Sequence, residues 1–166
     1  MHEADVKDFK KFLKEFQSET DRGAALVGAA IIDHRLTDTL RSFMVSNKAA
    51  STLLDGATAA LGTFSSRIDA TFALGLISAH EYGECHAIRK VRNEFAHSKH
   101  GTTFKDPDVK RLCDKLQSDL PGGRKKFADD PRSIFVTAVI LVALALTYRA
   151  DWVAKERRVT RTWPYE

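Results

Sequence analysis

The residues with the greatest capacity for chemistry lie on one predicted helix, between Ser78 and Ser98. Because residues advance about 100° each around a helix, its polar and titratable side chains fall on one side. They are Tyr82, His86, Arg89, Asn93 and His97, with Arg92 at the border, and we call these six residues the polar face. Two imidazoles beside arginine can bind an anion and move protons near neutral pH. On residue types alone, a solvated helix side is the simpler explanation, with Arg89 paired to an acid and Asn93 or His97 bonded to backbone.

The other side of this helix is apolar and predicts its docking into a core. Ile88, Val91 and Phe95 cluster there at helical spacing. Ser78-Ala79-His80-Glu81 is a capping box, in which the first and last side chains satisfy free amide hydrogens at a helix start. The sequence therefore predicts one long helix with the polar face opposite its core side.

The residues that could bind a metal match no known site pattern. They are Cys85, His86, His97, His100 and Cys113. Their spacing fits no zinc motif, and two distant cysteines indicate neither a disulfide framework nor Cys-x-x-Cys chemistry. The sequence also lacks a glycine-rich phosphate loop, a nucleophile elbow and a Rossmann fingerprint. We therefore expect no metal and no cofactor.

Helical spacing also dominates the N-terminal half. Apolar residues from Val6 to Phe16 alternate with lysines in an amphipathic pattern that is best explained by packing on the protein's own core. A second helix, about Ala24 to Met44, has its predicted apolar stripe at Val27, Ile31, Leu40, Phe43 and Met44. Ser46 or Asn47 can cap a short helix that reaches Leu54. Thr63 or Ser65 can open the next helix, which Gly75 ends in a left-handed conformation.

Two Asp-Pro pairs mark helix starts in the C-terminal half. Asp106-Pro107 predicts a helix to about Leu116, and Asp130-Pro131 predicts the last long helix, which Trp152 and Val153 extend. Its apolar run from Ile134 to Leu146 has thirteen residues, fewer than the about 20 that cross a membrane. Pro121-Gly122-Gly123-Arg124-Lys125-Lys126 is a loop with a basic tip. Residues 1–166 are thus expected to form an all-α, single-domain helical bundle or array of about six to eight helices.

Composition and charge set broad limits on partners. The chain has 166 residues, of which 43% are hydrophobic, and a net charge of +4 from 26 basic and 22 acidic residues. The basic net charge is compatible with binding to nucleic acid, although the nearly equal numbers of basic and acidic residues make it a weak indication. The charged opening lacks an apolar signal segment, and we expect a cytoplasmic protein with no membrane association.

Several blocks of this sequence resemble the mannitol operon repressor (MltR-type) family. They are Leu61-Gly62-Thr63-Phe64-Ser65-Ser66-Arg67-Ile68, Ala73-Leu74-Gly75-Leu76-Ile77-Ser78, Glu81-Tyr82, and Ile88-Arg89-Lys90-Val91-Arg92-Asn93-Glu94-Phe95-Ala96-His97-Ser98. The resemblance is densest from about Leu53 to Leu116. It implies an all-helical negative regulator of sugar-alcohol uptake genes that lacks a conventional DNA-reading module.

The sequence agrees with that implication, since no helix-turn-helix pair with a free basic recognition helix can be placed. A transcriptional regulator of this kind would act through a protein partner or through a homo-oligomer whose combined surface is basic. It would not be an enzyme.

A second resemblance leads to an alternative function. Arg92-Asn93-x-x-x-His97 is similar to the signature of HEPN domains, many of which are metal-independent, dimeric ribonucleases. The resemblance implies that His97 acts as general base on a ribose 2′-hydroxyl, Arg92 stabilises charge on the phosphate, and Asn93 orients one of them. The same resemblance also allows an RNA-binding or nucleotide-binding domain without cleavage, and a third hypothesis is a purely structural interaction domain.

Overall fold

The computed structural model describes residues 3–56, 58–97 and 101–165, with residues 3–9 described by their backbone alone. Within these ranges the chain forms helices and no strand, which confirms the predicted all-α array. The α-helices are α1 Glu3–Ser18, α2 Asp21–Phe43, α3 Lys48–Leu54, α4 Phe64–Ala73, α5 Ala79–His97, α6 Pro107–Cys113, α7 Pro131–Leu146 and α8 Arg149–Ala154. A short 3-10 helix spans Arg124–Phe127.

Helix α2 lies at the centre of the array and contacts α1, α3, α4, α5, α7 and α8. The Thr20 side chain caps its start by accepting a hydrogen bond from the Gly23 N–H at 3.0 Å. Much of its buried side consists of small residues, among them Ala24, Ala25, Gly28 and Ala29. These residues let neighbouring helices come close, since a Cβ on Gly28 would lie 3.1 Å from Phe16 and Val139.

The predicted apolar stripe of α2 is only partly correct. Leu40 and Phe43 are buried, whereas Val27 is 39% exposed and Ile31 and Met44 are half-buried. The prediction weighted bulky apolar residues, but close packing selects the side of α2 that carries alanine and glycine.

The buried side chains form two clusters. The larger cluster contains side chains from six helices, α1, α2, α4, α5, α6 and α7. It includes Ile88, Val91 and Phe95, each with no exposed surface. The apolar side of α5 is therefore core, as predicted. The smaller cluster contains Leu40, Phe43, Leu54, Leu76 and Val153 and lies where α2 ends. It fixes α3 and α8 against the end of α2.

Most of the predicted helix starts are confirmed. Asn47 caps α3 and Asp130 caps α7 through side-chain oxygens, and Thr63 forms a capping box with Ser66 at the start of α4. Gly75 has a φ of +71°, so the left-handed turn after α4 is also as expected.

Two details of the C-terminal half differ from prediction. The Asp106 side chain accepts from the Thr103 N–H at 3.0 Å and makes no cap bond to α6, which ends at Cys113 and not at Leu116. The last helix is interrupted at Thr147 and Tyr148, so Trp152 and Val153 belong to the separate helix α8. Arg149, the first residue of α8, donates to the carbonyl of Leu76, in the turn between α4 and α5, at 2.6 Å.

The segment Pro131–Ala154 has the length and composition of a membrane-crossing helix, with a mean hydropathy of 1.9 over its most apolar window. The thirteen residues from Ile134 to Leu146 therefore underestimated the length of the apolar segment, which has 24 residues. In the fold this segment is broken into two helices, and α7 packs against α2, α5 and α6. Nine of the sixteen residues of α7 are buried in this packing.

Candidate functional site

The start of α5 is held by a buried network. Ser78 and Glu81 cap each other, with the Ser78 N–H donating to Glu81 at 2.7 Å and the Glu81 N–H donating back at 3.2 Å. Glu81 also forms an ion pair with Arg149 of α8 at 2.7 Å. Burial raises the pKa of Glu81, but the bonds from Ser78 and Arg149 outweigh burial and the net pKa is lowered. The capping box was predicted, whereas its link to α8 was not.

A second carboxylate, Glu84, fixes the core side of α5. It accepts hydrogen bonds from the backbone N–H of Gln117 at 2.6 Å and of Ser118 at 3.2 Å, and from the Ser118 hydroxyl. These bonds attach the segment after α6 to α5 and so set the orientation of the polar face. The sequence held a signal for this role, because Glu84 lies within the apolar side of the helix.

The N-terminal end of the polar face is covered by α4. Tyr82 stacks on Phe72 with ring centroids 4.3 Å apart, and its hydroxyl donates to Asp69 at 3.1 Å. His86 lies 3.1 Å from the same Asp69 oxygen and meets Tyr82 edge to face. The Asp69 hydrogen bond raises the pKa of Tyr82. Both predicted site residues thus interact with Asp69. The sequence did not predict this contact, because only the packing of α4 on α5 places Asp69 beside them.

Arg89 occupies the middle of the polar face. It is half-buried, and its Nε is buried without a hydrogen-bond acceptor among the described residues. The predicted alternative, in which Arg89 pairs with an acid, is not found in the described ranges. A buried N–H without a partner is costly, and Arg89 is therefore the member of the face best prepared to receive an anionic group.

The C-terminal end of the polar face contains the Arg-Asn-x-x-x-His motif. Arg92 Nη1 donates to the Asn93 side-chain oxygen at 2.9 Å, and both residues are half-buried. His97 is exposed and ends α5. The structure brings Arg92 and Asn93 together and leaves His97 at the accessible helix end. His100 and Ser98 lie outside the described residues.

The cysteines lie inside the core. Cys85 and Cys113 are buried free thiols, and burial raises the pKa of each to about 12. They are therefore protonated and unreactive at neutral pH. Within the described ranges, no three His, Cys, Asp or Glu residues are grouped as metal ligands.

The fold and site define an all-helical array with a polar face that is covered at one end and open at the other. No protein-family model and no curated protein matches this chain. Among solved structures, the chain is similar to one from the MtlR-HPr complex of Escherichia coli, with a TM-score of 0.56 and 19% identity. The similarity covers 88% of this chain and 98% of the other, and it shows that the two share a fold.

Proposed function

We propose that this protein is a transcriptional regulator of the mannitol or sugar-alcohol operon type that acts through a protein partner. The observation that carries the proposal is the shared fold with MtlR, a mannitol operon regulator solved as a complex with HPr. The sequence blocks that resemble the mannitol operon repressor family support the same class independently. We further propose a cytoplasmic location and a homo-oligomeric state.

The partner is proposed to bind at the open end of the polar face, around Arg89, Arg92 and His97. Tyr82 and His86 already interact with Asp69. They would therefore lie beside the contact with the partner and would not form its main interactions. The accessible part of the half-buried Arg89 side chain would bind a carboxylate or phosphate of the partner.

The test is calorimetric titration of the purified chain with HPr from the same bacterium, together with repression of a mannitol-responsive reporter. We expect a specific complex, which Arg89→Gln or His97→Ala weakens and which Lys125→Gln, a change at an exposed position of the 3-10 helix, leaves intact. Melting temperatures of the three variants control for folding. A strong, sequence-selective electrophoretic shift by the purified chain alone at physiological salt would refute the partner-dependent mechanism.

A metal-independent ribonuclease of the HEPN type is the second candidate. The bond from Arg92 to Asn93 and the exposure of His97 favour it, because they leave a cation and a general base accessible on one helix end. If this function is correct, Arg92→Ala and His97→Ala abolish cleavage of RNA while the melting temperature stays close to that of the wild type. Loss of repression without any cleavage by the wild type excludes the nuclease, and loss of stability alone supports a structural role for the motif.

A further inference from the structure

The chain after α8 carries its charges outside the fold. The Arg158 N–H donates to the Phe43 carbonyl at 2.8 Å, and its guanidinium lies 4.7 Å from the centre of the Phe43 ring. These contacts hold the chain where it leaves the array. From Lys155 to Tyr165 every side chain is exposed. We call residues 152–165 the C-terminal arm; it begins in the last turn of α8, where Val153 is still part of the smaller core cluster.

Four cations of the arm are without acidic partners. Lys155, Arg157, Arg158 and Arg161 outnumber Glu156, and none of them forms an ion pair within the described ranges. Three other arginines, Arg67, Arg132 and Arg149, are by contrast each paired with a carboxylate of another helix. Lys155, Arg157 and Arg161 therefore add little to folding stability and are available to an anionic partner, whereas Arg158 also packs on Phe43.

Aromatic rings lie on both sides of these cations. The only two tryptophans of the chain are Trp152, which is 67% exposed, and Trp163, which is 59% exposed. Tyr165 is fully exposed. Large aromatic surfaces are usually buried, and exposed rings interleaved with arginines are the combination that binds bases and phosphates together.

We propose that the C-terminal arm binds single-stranded nucleic acid, with Arg157 and Arg161 contacting phosphates and Trp152, the more exposed indole, stacking on a base. A single strand presents unstacked base faces, whereas a duplex hides them. An acidic protein would neutralise the cations but would leave the rings without planar partners. This binding is independent of the polar face and tolerates different sequences.

The location of both tryptophans in the arm provides a direct assay. Titration of the full chain with oligothymidylate or oligouridylate is expected to quench its tryptophan emission, because the indoles stack on bases. Affinity should fall as salt rises, with a log–log slope of roughly −0.7 for each phosphate contacted. Comparing the two oligonucleotides distinguishes DNA from RNA as the preferred strand.

Charge variants identify the surface. Arg157→Gln with Arg161→Gln is expected to weaken binding of a labelled oligonucleotide by about ten-fold or more at low salt. Lys125→Gln with Lys126→Gln removes the same charge from the exposed side of the 3-10 helix and should have a much smaller effect. Trp152→Ala should weaken binding with little change in the salt slope. All variants should keep the wild-type melting temperature, since the altered side chains are exposed.

Three results would overturn the proposal. Equal weakening by the two double variants would mean that binding follows net charge alone. Tighter binding of a duplex than of either single strand would exclude base stacking. Quenching by polyglutamate equal to that by oligothymidylate would assign the arm to acidic proteins.

Discussion

At the scale of single residues, Glu84 is the clearest case of a buried carboxylate whose hydrogen-bond partners are distant in sequence. It is 2% exposed and accepts three hydrogen bonds from Gln117 and Ser118, more than 30 residues away. Removing the carboxylate leaves buried donors without an acceptor, and each such loss costs about 1–3 kcal/mol.

We expect Glu84→Ala to lower the free energy of unfolding by about 2–4 kcal/mol, measured by urea denaturation. Asp119→Ala is the matched control, because Asp119 is an exposed carboxylate of the same segment. Its effect should stay within about 0.5 kcal/mol. A Glu84→Ala variant as stable as this control would show that the segment after α6 does not depend on α5.

At the scale of helices, two glycines should respond to substitution in opposite directions. A Cβ on Gly83 of α5 meets no atom within 4 Å, so Gly83→Ala should stabilise the protein by about 0.5–1 kcal/mol. A Cβ on Gly28 of α2 lies 3.1 Å from Phe16 and Val139, so Gly28→Val should destabilise it by about 1–3 kcal/mol. Urea denaturation measures both changes. A neutral Gly28→Val would contradict the close approach of α1 and α7 to α2.

The ion pair between Glu81 and Arg149 joins α5 to α8 and should make stability depend on pH. The folded pKa of Glu81 is lowered from the model-compound value of 4.5. Its stabilisation is therefore complete above that value and is lost as pH falls through the lower folded pKa. Glu81→Gln should be less stable than wild type by about 2 kcal/mol at pH 7.

The difference between wild type and Glu81→Gln should shrink on acidification, which unfolding curves at several pH values measure. Asp151→Asn of α8 removes an exposed carboxylate as control. A stability difference that does not vary between neutral and acidic pH would show that the Glu81 charge contributes nothing.

Helix starts could be predicted because caps are local. Asn47, Thr63 and Asp130 bond to amides three residues ahead, and a short stretch of sequence contains all that this requires. Which side of α2 is buried, and which residue meets His86, depends on distant elements. The exposure of Val27 does not follow from local spacing. Neither does the position of Asp69 beside His86.

At the scale of the whole molecule, one core joins most helices around α2. Cys85 of α5 and Cys113 of α6 both belong to that core and have no exposed surface. Because their pKa values are raised to about 12 and their surfaces are covered, a thiol reagent can reach them only when the structure opens. They therefore report whether the array opens as a unit.

We expect the two thiols to be protected equally, with a free energy of opening that matches global unfolding. The measurement is the rate of modification by a disulfide reagent in single-thiol variants, Cys85→Ala and Cys113→Ala, under conditions where opening and closing are fast. The urea-unfolded variants supply the reference rates and should react alike. Faster modification of Cys113 than of Cys85 would mean that α6 detaches while α5 stays packed. In that case the hydrogen bonds from Gln117 and Ser118 to Glu84 would belong to a separate, weaker unit of the fold.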